Sequence, residues 1–193
     1  KFIKKNSLFI LESSVPPGTT EKIVLPIFKR EFKKINLNEK DIKISYSYER
    51  VMPGSNYYNS IVNYWRVFSS NNDTAKKKCE NFLSKIINVK KYPLTYLDTF
   101  TSCELSKILE NTYRAINIAL VDEWSKFAEK NNIDLFKIIN AIRVRPSHKN
   151  LMLPGFGVGG YCLTKDPLFG DIASKKIFNY KSLNFPISKM SVK

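Results

Sequence analysis

The residues best suited to chemistry lie in one stretch, Pro154-Gly155-Phe156-Gly157-Val158-Gly159-Gly160-Tyr161-Cys162-Leu163-Thr164-Lys165-Asp166-Pro167. It sets a thiol directly behind a loop with almost no side chains. Such glycines let backbone approach a ligand closely and leave amide N–H groups free to meet oxygen atoms. This suits a phosphate-bearing or sugar substrate held against Cys162 by Gly155, Phe156, Gly157 and Gly159, with Lys165 beside it. A lysine and the amides of a helix starting near Asp166-Pro167 would favour the thiolate, the nucleophilic form of a cysteine. Spacing alone leaves a second reading open, a tight structural turn around a buried cysteine.

Gly155, Gly157 and Gly160 also spell GxGxxG, the dinucleotide fingerprint. That fingerprint needs a buried strand before it, a helix starting inside it and an acid about 20 residues on. Here a proline-bounded loop precedes it and Cys162 follows, so the dinucleotide reading is rejected. The three cysteines, Cys79, Cys103 and Cys162, are odd in number and lack CxxC spacing. This argues against a disulfide framework or a zinc site and for a reducing compartment.

The elements that must position this loop read as two kinds of structure. Residues 7–12 form an apolar run, Ser13-Ser14-Val15-Pro16-Pro17-Gly18 breaks it, and Thr19 or Thr20 can cap a helix carrying Ile23, Val24, Ile27 and Phe28. The same order recurs as Ile42 to Tyr48, a Pro53-Gly54 break and a short helix near 56–63, then as a strand at 65–69 and a helix from about Asp73. Alternating strands and helices predict a parallel sheet covered on both faces.

From Thr101 to about Lys130 there is neither Gly nor Pro. Thr101 with Glu104 spells a capping box, and Leu105, Ile108, Leu109, Ile116 and Ala119 a helical stripe, so one long helix is expected. Lys107 and Asn111 share a face of it at i, i+4 spacing, which alone reads as a solvated surface. A helix over about 133–142, the loop 143–161 and a helical tail with a break at Asn184-Phe185-Pro186 complete the reading.

The net charge of +15 calls for an anionic partner without choosing one. The lysines are scattered and build no arginine-aromatic platform, so nucleic acid is not the expected partner. There is no apolar run of membrane-spanning length, and Lys1-Phe2-Ile3-Lys4-Lys5 is no signal peptide, so a cytoplasmic location away from membranes is expected.

The string Gly-Val-Gly-Gly-Tyr-Cys-Leu-Thr-Lys-Asp-Pro resembles the active-site signature of the UDP-glucose/GDP-mannose dehydrogenase family. Three further stretches fit in the same order: Ser13 to Thr19, Glu49-Arg50-Val51-Met52-Pro53-Gly54, and Ser102 to Lys107 running on through Asn111 to Ala119. The resemblance implies an α/β fold, with the C-terminal part of a Rossmann-like NAD-binding domain over 1–98 and a mostly α-helical central domain over 99–193. It implies NAD as cofactor and a two-step oxidation of the C6 hydroxyl of a nucleotide sugar to the acid. Cys162 matches the nucleophile that forms a thiohemiacetal and then a thioester. Lys107 and Asn111 match the pair that steadies the oxyanion, and Asp166 the carboxylate of water activation. Glu49 matches the acid of the turn after the second strand and Ser14 a position linked to the hydrolytic water, both placed near the cofactor together with Lys165. The long helix matches the one through which the family forms homodimers.

Two departures bear on substrate. Tyr48 stands where a proline is usual before the glutamate, and Pro53 stands where the UDP-glucose branch has a second glutamate. With the Glu-Arg-Val-Met-Pro-Gly wording, this favours a UDP-N-acetylhexosamine over UDP-glucose. The chain opens on a strand-like element and ends inside a helical one, so it is read as an internal piece, silent on its own. The rival readings are a UDP-glucose 6-dehydrogenase, and a non-catalytic basic binding module or degenerate paralogue, which would be expected to lose some of these residues.

Overall fold

The structure is a computed structural model that describes residues 6–52 and 54–193; Lys1 to Lys5 and Pro53, both used in the sequence reading, lie outside the described residues. Four strands, β1 (Leu8–Leu11), β2 (Lys43–Tyr46), β3 (Val67–Ser70) and β4 (Thr95–Tyr96), form one sheet in that order. β1 and β2 are parallel, as are β3 and β4, but β3 runs antiparallel to β2. The sheet is mixed, which corrects the all-parallel expectation. The physical reason lies in helix α2 (Tyr57–Val62), which buries only Ser60. A six-residue helix without an apolar face cannot pack back across the sheet as a crossover, so the chain returns antiparallel. β4 was not foreseen, because two residues after Pro93 carry no periodicity.

Helices cover both faces, and the strands alternate accordingly. Phe9, Leu11, Ile44, Tyr46 and Val67 pack with Phe32 of α1 (Leu25–Lys34) and with Phe100 and Cys103 of the long helix. Leu8, Ile10 and Phe68 pack with Cys79 and Leu83 of α3 (Asp73–Ser84) on the opposite face. Of the apolar face expected for α1, Val24 and Phe28 pack on the core and Ile23 and Ile27 do not. A π-helical turn at Thr20–Val24 leads into it, and Ile23 and Ile27 stay 47% and 44% exposed while Leu25, Phe28 and Phe32 turn inward. The wider π turn accounts for the shift, since it advances the helix face relative to a 3.6-residue count.

The long helix is α4 (Phe100–Lys130). Its N-cap is Thr99, whose hydroxyl accepts from the Ser102 amide, and not Thr101. Glu104 is therefore freed from the predicted capping box and is fully buried. Leu105 and Leu109, assigned to the inward stripe, are 48% and 62% exposed. Ile108 is buried as expected, and Cys103, Glu104, Thr112 and Ala115 complete the inward face. The first turns of α4 thus lie on the sheet and the rest projects past it. Beyond α4 come α5 (Leu135–Arg143), an irregular loop, α6 (Phe169–Ile172) and α7 (Pro186–Met190). Among the described residues no helix is long and apolar enough to cross a membrane.

Candidate active site

Ligands of open α/β sheets bind beyond the carboxyl ends of the parallel strands. Beyond β1 here lies the Ser13–Gly18 loop, and beyond β2 lies Tyr48-Glu49-Arg50. Glu104 ties the first loop to α4. Its carboxylate accepts from the Gly18 amide at 2.6 Å, the Thr20 amide at 2.8 Å and the Thr20 hydroxyl at 2.6 Å. Burial pushes this carboxyl above its ordinary range while the three donors pull it back. Half-buried Ser14 sits in the loop so anchored, and the Tyr46 hydroxyl donates to the neighbouring Ser13 carbonyl at 3.2 Å.

One turn along α4, Lys107 extends to the second loop, where its ammonium donates to the Glu49 carbonyl at 3.2 Å. The Glu49 carboxylate itself turns back to accept from the Val51 amide. Another turn on, the Asn111 amide donates to Asp166 Oδ2 at 2.6 Å, although 55 residues separate the two. Asp166 is fully buried, and its other oxygen pairs with Lys165. Lys107 and Asn111 are therefore not on a solvated face: the first meets the loop after β2, the second the segment that follows the glycine-rich loop.

That loop is irregular from 149 to 160, with no strand leading into it and no helix starting inside it, as the rejection of a dinucleotide fingerprint requires. Asn117 of α4 pins its entry by donating to the Asn150 carbonyl at 2.9 Å and accepting from the Met152 amide at 2.9 Å. Gly157 has φ +77° and lies against Asp122, so α4 also backs the middle of the loop. Around Gly155 and Gly159 there is open space, and Phe156 is fully exposed. The chain then closes a turn in which the Cys162 carbonyl accepts from the Asp166 amide at 2.9 Å.

The three thiols differ sharply. Burial pushes Cys79 up to about 11 and Cys103 up to about 12, whereas Cys162 is exposed. The alternative of a buried cysteine in a tight turn is thereby removed. The groups expected to favour the thiolate have other hydrogen-bond partners. The amides of Lys165 and Asp166 both point at the Cys162 carbonyl, and the Lys165 ammonium is held by Asp166 between the Tyr161 and Phe169 rings. Neither donates a hydrogen bond to the thiol.

Sequence reasoning missed Glu104 as an anchor, because the capping-box spelling absorbed it, and Asn117 as the pin of the loop entry. No local signal was available for the first, since Lys107 at i+3 offers Glu104 an ordinary helical partner. Tyr48, noted only as a substitution, is 1% exposed and at the centre of a polar cluster with Arg50 and Ser106.

The UDP-glucose/GDP-mannose dehydrogenase family, NAD binding domain, matches residues 1–87, and the central domain of the same family matches residues 101–180. The UDP-N-acetyl-D-mannosamine dehydrogenase of Methanocaldococcus jannaschii is 33% identical over 168 residues, 87% of this chain and 36% of that protein. The enzyme of the same description from Campylobacter jejuni is 30% identical over 88% of this chain and 41% of its own length. Among solved structures, the UDP-D-ManNAc dehydrogenase of Pyrococcus horikoshii superposes with a TM-score of 0.82 at 27% identity, covering 98% of this chain and 42% of that one. The chain spans between a third and a half of the length of these relatives.

Proposed function

The chain belongs to the UDP-glucose/GDP-mannose dehydrogenase family, and on that premise we propose that the full-length protein oxidises the C6 hydroxyl of a UDP-N-acetylhexosamine, UDP-N-acetylmannosamine first among them, to the uronic acid. The observation that carries this is the meeting of Asn111 with Asp166 at 2.6 Å, which joins the polar face of α4 to the segment bearing an exposed thiol.

The loops beyond parallel β1 and β2 fit a dinucleotide, being the crevice such sheets offer, with Ser14 and Glu49 as the residues that would face it. NAD, when bound there, supplies the hydride acceptor for both oxidations. The residues of this chain do the rest. The Cys162 thiolate adds to the C6 aldehyde, forming a C–S bond as the carbonyl π pair becomes an oxyanion and then a thiohemiacetal hydroxyl. Loss of hydride and of the hydroxyl proton gives a thioester. Water then adds, the C–S bond breaks, and the acid leaves with the thiolate restored. Lys107 has further N–H donors beyond the one given to Glu49, and Asn111 stands one turn away, so both can meet the oxyanion. Asp166, held by Asn111 and Lys165, accepts the proton of the hydrolytic water on this reading. Gly155, Phe156, Gly157 and Gly159 hold the sugar nucleotide against the thiol.

On the same reading the full-length protein forms a homodimer through the long helix α4, with α5 beside it. Leu120, Trp124, Phe127, Ile138 and Ile142 line an apolar groove of about 400 Å³ between the two helices, and Trp124 and Phe127 are 53% and 55% exposed. A second copy, presenting the same face in return, would cover it.

NADH release is to be measured on the full-length protein with UDP-N-acetylmannosamine, its gluco and galacto epimers, and UDP-glucose. Two NADH per sugar with an N-acetylhexosamine is the expected result. A clear preference for UDP-glucose would reverse the substrate and spare the mechanism, and no NADH from any of the four would overturn the reading.

A further inference from the structure

We propose that Tyr48 is a positioning residue for Lys107, its ring carrying the lysine ammonium and fixing where that amine sits beyond the end of β2. The proposal rests on the reading of Lys107 given above.

A lysine is a point charge on a flexible four-carbon stem, so one hydrogen bond aims it poorly. Among the described residues Lys107 makes a single protein hydrogen bond, the 3.2 Å contact to the Glu49 carbonyl. Its second constraint is the Tyr48 ring, whose centroid lies 5.3 Å from the ammonium, within the range of a cation–π contact. A ring can serve as such a seat only if it does not move, and Tyr48 is 1% exposed with each part held. The Tyr46 ring lies beside it, tilted by 49° with the centroids 6.4 Å apart, and the Arg50 guanidinium sits 5.3 Å from the Tyr48 ring centroid. The Tyr48 hydroxyl lies 3.1 Å from Ser106 Oγ and accepts from Arg50 at 3.1 Å. Ser106 gives its one proton to the Cys103 carbonyl at 2.8 Å, which leaves the phenol the donor towards Ser106. Arg50 is itself tied to the Trp65 carbonyl at 2.7 Å and to Glu110 at 3.0 Å. Burial keeps the phenol protonated and the ring neutral beneath the cation. The seat leaves the remaining Lys107 donors free for a substrate oxygen.

The test is a double-mutant cycle on the full-length protein with NAD and UDP-N-acetylmannosamine. Tyr48→Leu removes the ring face, and Tyr48→Phe keeps it. Tyr48→Leu is expected to lower kcat about tenfold with KM changed less than about twofold, and Tyr48→Phe to keep most of the rate. In a Lys107→Ala background Tyr48→Leu should cost nothing further. A drop by the same factor in both backgrounds, or no drop in kcat, overturns the proposal while leaving Lys107 its role. A wild-type kcat for Lys107→Ala itself would overturn both. Should Tyr48→Leu fail to fold, phenylalanine and its 4-fluoro, 3,5-difluoro and 3,4,5-trifluoro forms at position 48 keep the shape while draining the ring of negative charge. A stepwise fall in kcat along that series supports the seat, and a flat series overturns it.

Discussion

Two loops with proline and glycine meet α4, and they use glycine for opposite reasons. At Gly18, φ is +90° and an added Cβ would come within 2.7 Å of the Phe178 ring, so glycine is needed to let the fold close. Its amide is also one of the three donors that satisfy buried Glu104. At Gly155 an added Cβ would meet nothing within 4 Å, and the neighbouring Phe156 is fully exposed. The first loop is packed against protein and the second is left open in front of Cys162. What separates them is what fills the space, and only the open one leaves room for a ligand.

Substitutions can break this contrast. The largest effect is expected on the stretch of α4 between its contacts to the two loops: Lys107→Ala should lower kcat by about two to three orders of magnitude, as loss of an oxyanion donor does, with the melting temperature nearly unchanged. Steady-state kinetics beside thermal unfolding reads both. Glu104→Ala should act the other way, on stability, by about 3 kcal/mol, because it strands buried donors at Gly18 and Thr20. Burial raises the Glu104 carboxyl above its ordinary 4.5, so the folded state holds that proton more tightly than the unfolded one. The stability this linkage contributes is complete below about 4.5 and is lost as pH rises through the folded value. Denaturant unfolding of wild type against Glu104→Gln should therefore show the wild type losing ground from pH 4.5 upward. Smaller still, Gly18→Ala should cost about 1–3 kcal/mol for its left-handed backbone alone, while Gly155→Ala should stay within about 0.5 kcal/mol. Equal costs at the two glycines would erase the distinction drawn between the loops.

Much of this arrangement was legible in residue order. The helices over 73–84 and 100–130 follow from unbroken helical spelling, and the rejection of GxGxxG at 155–160 from the absence of a flanking strand and helix. What stayed hidden depends on distance. No local pattern tells that Glu104 reaches 86 residues back to Gly18, or that Asn111 reaches 55 forward to Asp166. The collinear motifs named the participants without showing which of them touch. The antiparallel return of β3 was hidden for a related reason: the strand-helix-strand spelling at 43–70 is the same for a crossover helix and for one that never packs on the sheet. The exposed faces of α4 escaped too, because Leu105 and Leu109 carry the same apolar signal whether or not a core covers them.

The central claim is that the exposed thiol of Cys162, not the buried Cys79 or Cys103, is the nucleophile of the second oxidation. The direct measurement is NADH and uronic acid formed from UDP-N-acetylmannosamine by the full-length protein carrying Cys162→Ser. The side chains are close in size, but the hydroxyl is a far poorer nucleophile at neutral pH. The account predicts a folded enzyme that still binds the sugar nucleotide and makes almost no acid. Acid formation at the wild-type rate would contradict it.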